Sequence, residues 1–159
     1  MKMSIQIGDI APDFELESTD GSLYKLSEEV AKTPVLLNFY IGDFGINCTN
    51  YMNIFNERLD DLLDLGISMI GINHDSMDSH TGFKKMTGLK WELLFDKDKN
   101  VAKTYGAIVG PGHMVTGFTN REFILVGKDM KVLYTWKAGV PKDLPEFDAV
   151  LNGVKEALQ

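Results

Sequence analysis

The feature that most restricts the fold of this chain is an apolar run followed by a helix-forming segment. Val35–Tyr40 stands behind Pro34 and is typical of a strand buried on both faces of a sheet. Residues 48–64 then carry apolar side chains at helical spacing and stop at Gly66. A second buried strand is predicted at Ile67–Ile72. Strands that alternate with helices indicate an α/β chain.

The later segments continue the alternation of strands and helices, and then form two consecutive strands and a last helix. Helices are predicted at about 79–87, 98–105 and Leu144–Leu158, and strands at Glu92–Phe95, Arg121–Val126 and Lys131–Trp136. The last two strands flank Gly127–Met130, a turn that suits an antiparallel hairpin. The element order predicts a thioredoxin-like fold, with a mixed central β-sheet flanked by helices. With 159 residues and no repeat or linker, we expect one thioredoxin-like domain over residues 1–159.

The chain has a single cysteine, Cys48, which limits its redox and metal chemistry. One thiol cannot form an intramolecular disulfide, a CxxC pair or an all-thiolate zinc site. His74, His80 and His113 show no metal-ligand spacing, so no metal site is predicted. The glycine-rich segment before the hairpin lacks the Gly-Lys-Ser/Thr of a nucleotide loop, and no cofactor is predicted.

Charge and hydropathy exclude two classes of partner. The chain has 16 Lys+Arg against 23 Asp+Glu, a formal net charge of −7, and its lysines are spread along the sequence. No basic block is available for a nucleic acid or an anionic membrane. The longest apolar runs are far shorter than the roughly 20 residues that span a bilayer, and no signal-peptide pattern opens the sequence. We therefore expect a soluble, cytoplasmic protein with neither nucleic acid nor membrane as a partner.

Cys48 follows the loop 41–47, between a buried strand and a helix. This is the carboxyl edge of the sheet, where α/β proteins place their sites. The sulfur also lies at a helix N-terminus, where unpaired N–H groups and the helix dipole favour a thiolate. On spacing alone, Cys48 is equally the first member of the apolar stripe Met52, Phe55 and Leu59. An inert core cysteine is therefore the alternative.

Several segments together resemble the peroxiredoxins of the alkyl hydroperoxide reductase and thiol-specific antioxidant superfamily. The similar segments are Ile7–Leu16, Gly21 with Leu26-Ser27, Leu37–Tyr40, Asp43-Phe44, Cys48-Thr49, Gly71–Ser76, Phe95-Asp96, Val101–Gly106 and Phe123–Val126. The resemblance runs from about residue 5 to residue 158. It implies that Cys48 is the peroxidatic cysteine, whose thiolate attacks a peroxide oxygen and becomes a sulfenic acid that a second thiol reduces.

The resemblance also implies how the cycle is completed. Relatives with a nearby resolving cysteine often carry it five residues later, where this chain has Asn53. The chain is thus similar to the one-cysteine type of the bacterioferritin-comigratory-protein branch. Its expected substrate is hydrogen peroxide or an organic hydroperoxide, and its expected reductant is an external thiol, thioredoxin-like or of low molecular weight. Relatives often pair across this edge, so we expect a homodimer, with Ile41, Phe44 and Ile46 at that contact or in the core.

The chain departs from the family's Pro-x-x-x-Thr-x-x-Cys loop at two positions. Ile41 replaces the proline and Gly45 replaces the threonine. A hydroxyl that steadies a thiolate or peroxide oxygen is worth about 1.5–3 kcal/mol, so Gly45 alone predicts a rate roughly 10- to 150-fold lower. Phe44 and Asn47 complete the predicted active-site loop. The N–H groups of residues 46–48 are the expected oxyanion donors.

The family's active-site arginine is displaced as well. It normally stands three residues before the phenylalanine of the hairpin strand, where this chain has Asn120, and Arg121 comes one residue later. One step along a strand reverses the face. Arg121 is therefore either an exposed strand charge or a partner of Cys48 that a local bulge turns towards the site. The other arginine, Arg58, is expected to be a solvated or structural cation.

Three further features leave alternatives open. Tyr51 stands where many relatives have Glu or Gln, so its hydroxyl either replaces a hydrogen bond or the ring packs. His74 is either a surface loop residue or a neighbour of Cys48 at the sheet edge. Pro111–Met114 is either a wall of the site or a contact surface.

The sequence as a whole predicts a peroxiredoxin-type peroxidase, weakened by the missing Pro, Thr and in-register Arg. The alternative is a redox-weak binding or interaction protein with an inert Cys48. A thioredoxin-like disulfide reductase is disfavoured, because that chemistry needs a CxxC pair.

Overall fold

The structure is a computed structural model and describes residues 4–159. Its strands are β1 Glu15–Ser18, β2 Leu23–Lys25, β3 Val35–Phe39, β4 Ser68–Asn73, β5 Leu93–Phe95, β6 Glu122–Val126 and β7 Val132–Lys137. Within the described residues they form one sheet in the order β2-β1-β5-β4-β3-β6-β7. Strands β3, β4 and β5 run parallel, whereas β6 pairs antiparallel with β3 and β7. The predicted mixed central sheet is confirmed.

Helices cover both faces of this sheet. They are α1 Leu26–Val30, α2 Ile46–Glu57, α3 Leu59–Leu63, α4 Met77–Thr87, α5 Asn100–Tyr105 and α6 Phe147–Ala157. Strand β3 is buried along its whole length, as its apolar sequence predicts. Its side chains alternate between two cores: Leu36 lies in the core with α2, α3, α4 and α6, and Leu37 in the core with α1 and α5. The stripe that starts at Cys48 belongs to the first core.

Two predicted helices are shorter or broken in the structure. The segment 48–64 forms α2 and α3 because Arg58 interrupts the helix with non-helical backbone angles (φ −109°, ψ 18°). The last helix begins at Phe147 and not at Leu144. Pro145 explains this difference, because a proline disfavours helical angles at the residue before it.

Two other helices differ at their first residues. Helix α4 begins at Met77, earlier than predicted, because the Ser76 hydroxyl caps it and accepts the Ser79 N–H at 3.1 Å. The segment predicted as a helix over 98–105 begins as a 3-10 turn at Lys97–Lys99 and continues as α5.

The N-terminal hairpin β1–β2 and helix α1 were not predicted. These elements are short, and the strands lie at the sheet edge with most of their residues partly or fully exposed. They therefore lack the continuous apolar run that marks a buried strand. By contrast, the hairpin predicted from Gly127–Met130 is confirmed, with the Met130 N–H donated to the Gly127 carbonyl at 2.9 Å.

Candidate active site

Cys48 lies at the junction between β3 and α2, as predicted. Gly45 is the N-cap of α2 in an extended conformation (φ −64°, ψ 138°), and no side chain within residues 4–159 caps this helix end. Thr49 donates its N–H to the Gly45 carbonyl at 2.8 Å. The N–H groups of residues 46–48 precede that bond and have no acceptor inside the helix. The sulfur of Cys48 thus belongs to an uncapped, electropositive first turn.

Cys48 is at once a core residue and part of a cleft. Only 2% of its surface is exposed, and it packs in the same core as Tyr51 and Met52. It also lines a cleft of about 450 Å³. The other lining residues are Ile41, Gly42, Asp43, Gly45, Ile46, Asn47, Asp75, Phe118 and Arg121. With so little of the residue exposed, this cleft admits only small molecules to the sulfur.

Arg121 is buried, so the expectation of an exposed strand charge is wrong. It directly precedes β6, is 5% exposed and lines the same cleft as Cys48. The physical reason is strand alternation, because Arg121 stands two residues before Phe123 and therefore shares its face. The Phe123 ring packs on Tyr51 and Phe55 of α2, with centroid separations of 6.4 and 4.9 Å. No bulge is required, since the register shift of β6 lies at its far end, between Leu125 and Val126.

Asn120, which occupies the family's arginine position, serves a different role. Its side-chain amide donates to Glu122 Oε2 and to the Ala138 carbonyl, each at 3.1 Å. Asn120 and Glu122 share the face opposite to Arg121. The family's spacing of three residues before Phe123 therefore does not locate the arginine of this chain. Arg121, two residues before Phe123, is the residue that faces α2.

The guanidinium of Arg121 has a hydrogen-bond partner at one nitrogen and none at another. Its Nη1 donates to the Pro141 carbonyl, whereas the buried Nε has no hydrogen-bond partner within the described residues. Arg121 also lines a second cleft of about 500 Å³, which shares Ile41 and Asn47 with the first. The walls of this second cleft are His113–Val115 and Val140–Lys142. Residues of the glycine-rich segment thus form a wall next to Arg121, as one of the two expectations for Pro111–Met114 had it.

Tyr51 fulfils both roles proposed for it. Its hydroxyl donates to Asn38 Oδ1 of β3 at 3.1 Å, and its ring packs edge-on against Phe55 and Phe123. Burial raises the pKa of Tyr51 well above its usual value, and the nearby Cys48 raises it further. The hydroxyl therefore stays protonated beside the sulfur.

Three other residues discussed above lie away from the cleft or at its margin. Phe44 is half exposed and packs edge-on against Phe83 of α4, with centroids 5.4 Å apart. His74 is partly buried and contacts Phe118, which itself lines the cleft. Arg58 is a structural cation, as expected: it pairs with Asp148 at 2.7 Å and lies over the Phe147 ring.

The structure reveals a buried polar cluster that the sequence analysis missed. The Asp43 side chain, in the loop before Cys48, is fully buried and accepts from the Tyr40 hydroxyl at 2.7 Å and the Ser79 hydroxyl at 2.8 Å. His80 Nδ1 lies 2.6 Å from Asp43 Oδ2. The signal for His80 was present, because it shares the buried face of α4 with Phe83, three residues on. Asp43 gave no comparable signal, because only the folded loop buries it.

Two kinds of feature are not found in residues 4–159. None of the helices there is long and apolar enough to cross a membrane. Nor do three or more His, Cys, Asp or Glu side chains in that part of the chain gather in a group that could hold a metal ion.

Comparison with known families distinguishes between the two functions predicted for the chain. The model of the AhpC/TSA family matches residues 7–135. The chain belongs to the AhpC/TSA family. The peroxiredoxin resemblance drawn from the sequence is therefore confirmed, and the peroxidase prediction is favoured over the inert binding protein.

Individual relatives agree with this assignment. Peroxiredoxin Bcp of Bacillus subtilis is 29% identical over 144 residues, which cover 89% of this chain and 90% of that protein. The structure of a cysteine mutant of Xylella fastidiosa PrxQ has a TM-score of 0.86 at 21% identity and covers 99% of this chain and 100% of its own. The bacterioferritin comigratory protein of Xanthomonas campestris has a TM-score of 0.82 at 21% identity, with 98% of both chains covered. These two structures confirm the predicted thioredoxin-like fold.

Proposed function

We propose that this AhpC/TSA family member is a thiol-dependent peroxidase in which Cys48 is the nucleophile and Arg121 its charge partner. The observation that carries the proposal is the shared cleft. A buried guanidinium with an unpartnered Nε–H and the uncapped first turn of α2 both line the cleft that holds Cys48. Both features favour negative charge on a thiolate and on a peroxide oxygen.

The proposed reaction uses the backbone N–H groups of α2 and the Arg121 guanidinium together. The Cys48 thiolate attacks one peroxide oxygen, the O–O bond breaks, and the other oxygen leaves as water or an alcohol after it takes up a proton. The N–H groups of residues 46–48 and Arg121 stabilise the negative charge that moves onto the leaving oxygen. Asn47 lines both clefts and supplies an amide near the position where Gly45 lacks the family's hydroxyl. The product is Cys48 sulfenic acid.

An inert Cys48 is disfavoured by the surroundings of Arg121. Burying a charged group without a full set of hydrogen bonds destabilises a fold. A binding module with a silent cysteine has no use for an unpartnered guanidinium nitrogen in this cleft. A peroxide oxygen or a thiolate sulfur in the cleft would accept a hydrogen bond from the guanidinium and reduce this cost.

The test is exposure to a modest excess of hydrogen peroxide, followed by intact-mass measurement with and without dimedone. We expect Cys48 to form the sulfenic adduct faster than free cysteine does, and Cys48→Ser to form none. Arg121→Met should lower the second-order rate constant roughly 10- to 150-fold, the effect of one charged hydrogen bond.

Arg58→Met is the matched control, because it removes the other arginine of the chain from a half-exposed site on the α2–α3 junction. Its oxidation rate should equal that of the wild type. Oxidation of Cys48 no faster than that of free cysteine would contradict the proposed function. If Arg121→Met and Arg58→Met changed the oxidation rate equally, the proposed role of Arg121 would be wrong, but the peroxidase function itself would not be contradicted.

The partners and setting are part of the same proposal. The substrate is hydrogen peroxide or an organic hydroperoxide, and the reductant is an external thiol, because Cys48 is the only cysteine of the chain. A single unpaired thiol and a net charge of −7 fit a cytoplasmic protein without nucleic-acid partners. The chain acts as one thioredoxin-like domain over residues 1–159, and it pairs as a homodimer.

A further inference from the structure

The burial of Cys48 creates a problem for the second half of the proposed cycle. A peroxide is small enough for the cleft, but an external thiol must bring its own sulfur into line with the Cys48 sulfenic acid. With 2% of the residue exposed, the closed structure gives such a thiol no approach. The loop 41–47 and the first turn of α2 must therefore move away before reduction. What holds them closed thus determines the rate of reduction.

The loop is attached to the rest of the protein mainly through Asp43. Its backbone N–H donates to Asp75 Oδ2 at 2.8 Å, and its carboxylate accepts from Tyr40, Ser79 and His80. These partners come from the end of β3, the loop after β4, and α4. The side chains of Asp43 and His80 are both fully buried, although the next residues of the loop are exposed.

His80 is fixed in this position by a second hydrogen bond. Its Nε2 lies 3.1 Å from the Asn73 carbonyl oxygen, which can only accept, so Nε2 carries a proton. Nδ1 faces Asp43 Oδ2 at 2.6 Å, the length of a charge-assisted hydrogen bond. Burial and the Asp43 carboxylate raise the pKa of Tyr40 well above its usual value, so its hydroxyl remains a donor. The Tyr40 hydroxyl, the Ser79 hydroxyl and His80 Nδ1 therefore all point to the Asp43 carboxylate, whereas His80 Nε2 points to the Asn73 carbonyl.

The backbone of the loop next to this cluster is strained at Phe44. Phe44 has a φ of +63°, in the left-handed region that side chains other than glycine rarely adopt. Its packing on Phe83 and the hydrogen bonds of Asp43 hold that conformation. Without the Asp43–His80 bond, the backbone at Phe44 favours leaving the closed geometry.

We propose that the buried Asp43–His80 pair is a latch that positions the Cys48 loop and limits how fast an external thiol reaches the oxidised sulfur. The inference rests on the proposed peroxidase function, because it concerns the step that follows oxidation. In that step a thiol R–SH attacks the sulfur of Cys48–SOH, an S–S bond forms, and the hydroxyl leaves as water. A second R–SH then releases the Cys48 thiol and the disulfide R–S–S–R. Asp43 and His80 are positioning residues, since neither reacts.

Two substitutions of one residue separate the latch from the packing of His80. In His80→Asn the amide nitrogen takes the place of Nδ1 and keeps a donor for Asp43. In His80→Gln the amide nitrogen takes the place of Nε2 and keeps only the bond to Asn73. Asp43→Asn weakens the same contact from the loop side. Lys84→Met is the control, because it breaks a partly exposed ion pair with Glu92 on the same helix, away from the loop.

The first measurement is the rate at which the reduced Cys48 reacts with a bulky maleimide, which reports loop opening without any peroxide. We expect His80→Gln and Asp43→Asn to react up to roughly 10- to 150-fold faster than the wild type, the factor of one charged hydrogen bond. Lys84→Met should react at the wild-type rate, and His80→Asn, which keeps a neutral donor for Asp43, should be accelerated less than His80→Gln. Low urea concentrations should leave these rates unchanged, since local opening exposes little surface whereas global unfolding responds to denaturant.

The second measurement is the reduction of peroxide-oxidised Cys48 by dithiothreitol, in the same variants. Reduction should accelerate by the same factors, whereas oxidation by hydrogen peroxide should not become faster. Wild-type maleimide rates in His80→Gln, or equal acceleration in His80→Asn and His80→Gln, would overturn the latch. If labelling changes as expected but peroxide oxidises no variant faster than free cysteine, the latch is supported and the proposed function is wrong.

Discussion

Two neighbouring charged residues at the start of β6, Arg121 and Glu122, are buried and face opposite sides of the sheet. Arg121 faces α2 and the cleft, where a ligand can satisfy it. Glu122 is turned to the other core, where Asn120 donates to one oxygen and the second oxygen has no partner among residues 4–159. Burial raises the pKa of Glu122 to about 7, and the Asn120 hydrogen bond and Lys137 only partly oppose this effect.

The raised pKa of Glu122 predicts a loss of stability as pH rises. Between the ordinary value of 4.5 and about 7, the folded chain holds a proton that the unfolded chain has released. Stability therefore falls with pH across this window and is constant with respect to Glu122 above it. The shift corresponds to at most about 3 kcal/mol. Glu122→Gln, which is uncharged at every pH, should raise the melting temperature relative to the wild type more at pH 8 than at pH 4.5.

Thermal unfolding followed by circular dichroism at several pH values measures this difference. Glu156→Gln is the control, because it removes a carboxyl from the exposed side of α6. Its melting temperature should differ little from that of the wild type, and the difference should not change between pH 4.5 and about 7. A pH-independent difference for Glu122→Gln would show that the carboxyl is solvated in the folded state.

At the scale of elements, α6 approaches the sheet closely at a single glycine. A Cβ added to Gly153 would overlap the ring of Tyr134 on β7. The absence of a side chain at this position therefore lets α6 lie flat against the hairpin strand. The same contact seats Phe147 and Val150 in the core that contains Cys48.

Gly153→Ala should destabilise the protein although alanine is the better helix former. The gain in helix propensity is about 1 kcal/mol, and the overlap with Tyr134 costs about 1–3 kcal/mol. We expect a melting temperature a few degrees lower. In a Tyr134→Ala background the same substitution should be stabilising, because the overlap is gone. Asn152→Ala, one residue earlier and exposed, should be neutral or stabilising; a melting temperature that rises in Gly153→Ala alone would contradict the close contact.

At the scale of the whole molecule, the parts predicted from the sequence are those that periodicity encodes. The buried strands, the apolar stripe from Cys48 and the hairpin turn each have a local sequence pattern. The mixed sheet and the position of the site at its edge could therefore be predicted. The break at Arg58 leaves no such pattern, because it depends on contacts with Asp148 and Phe147 in a distant helix. The edge hairpin β1–β2 was missed because exposed short strands need no apolar run.

The candidate site was predicted in part for the same reason. The place of Cys48 between a strand and a helix was predicted from the sequence pattern, whereas its role as the nucleophile was predicted from the peroxiredoxin resemblance. The orientation of Arg121 was uncertain because it depends on where β6 begins, and a change of one residue in that start reverses the face. The Asp43–His80 pair joins residues that are far apart along the chain, and only the folded loop brings them together. A single sequence does not show which residues that are distant along the chain contact each other in the fold.

The surface around the two clefts is unusually apolar for an exposed region. Ile46 is 79% exposed at the start of α2, and Ile54, also exposed, lies about two turns further along the helix. Met114, in the wall of the second cleft, is fully exposed, and Phe44 is half exposed. We call these four residues the front patch. Large exposed apolar side chains in one region of a surface are typical of protein contact sites.

The proposed homodimer predicts that the front patch is covered in solution. Sedimentation velocity should show a species of about twice the chain mass, and Ile46→Lys should shift it to the monomer by placing a charge in an apolar contact. Leu23→Lys is the matched control: Leu23 is also an exposed apolar residue, but it lies on β2, the edge strand of the sheet. If Leu23→Lys dissociates the dimer and Ile46→Lys does not, the copies pair through the edge strand. A wild-type monomer at high concentration would refute the homodimer, and the clefts beside Cys48 would then stay open to solvent.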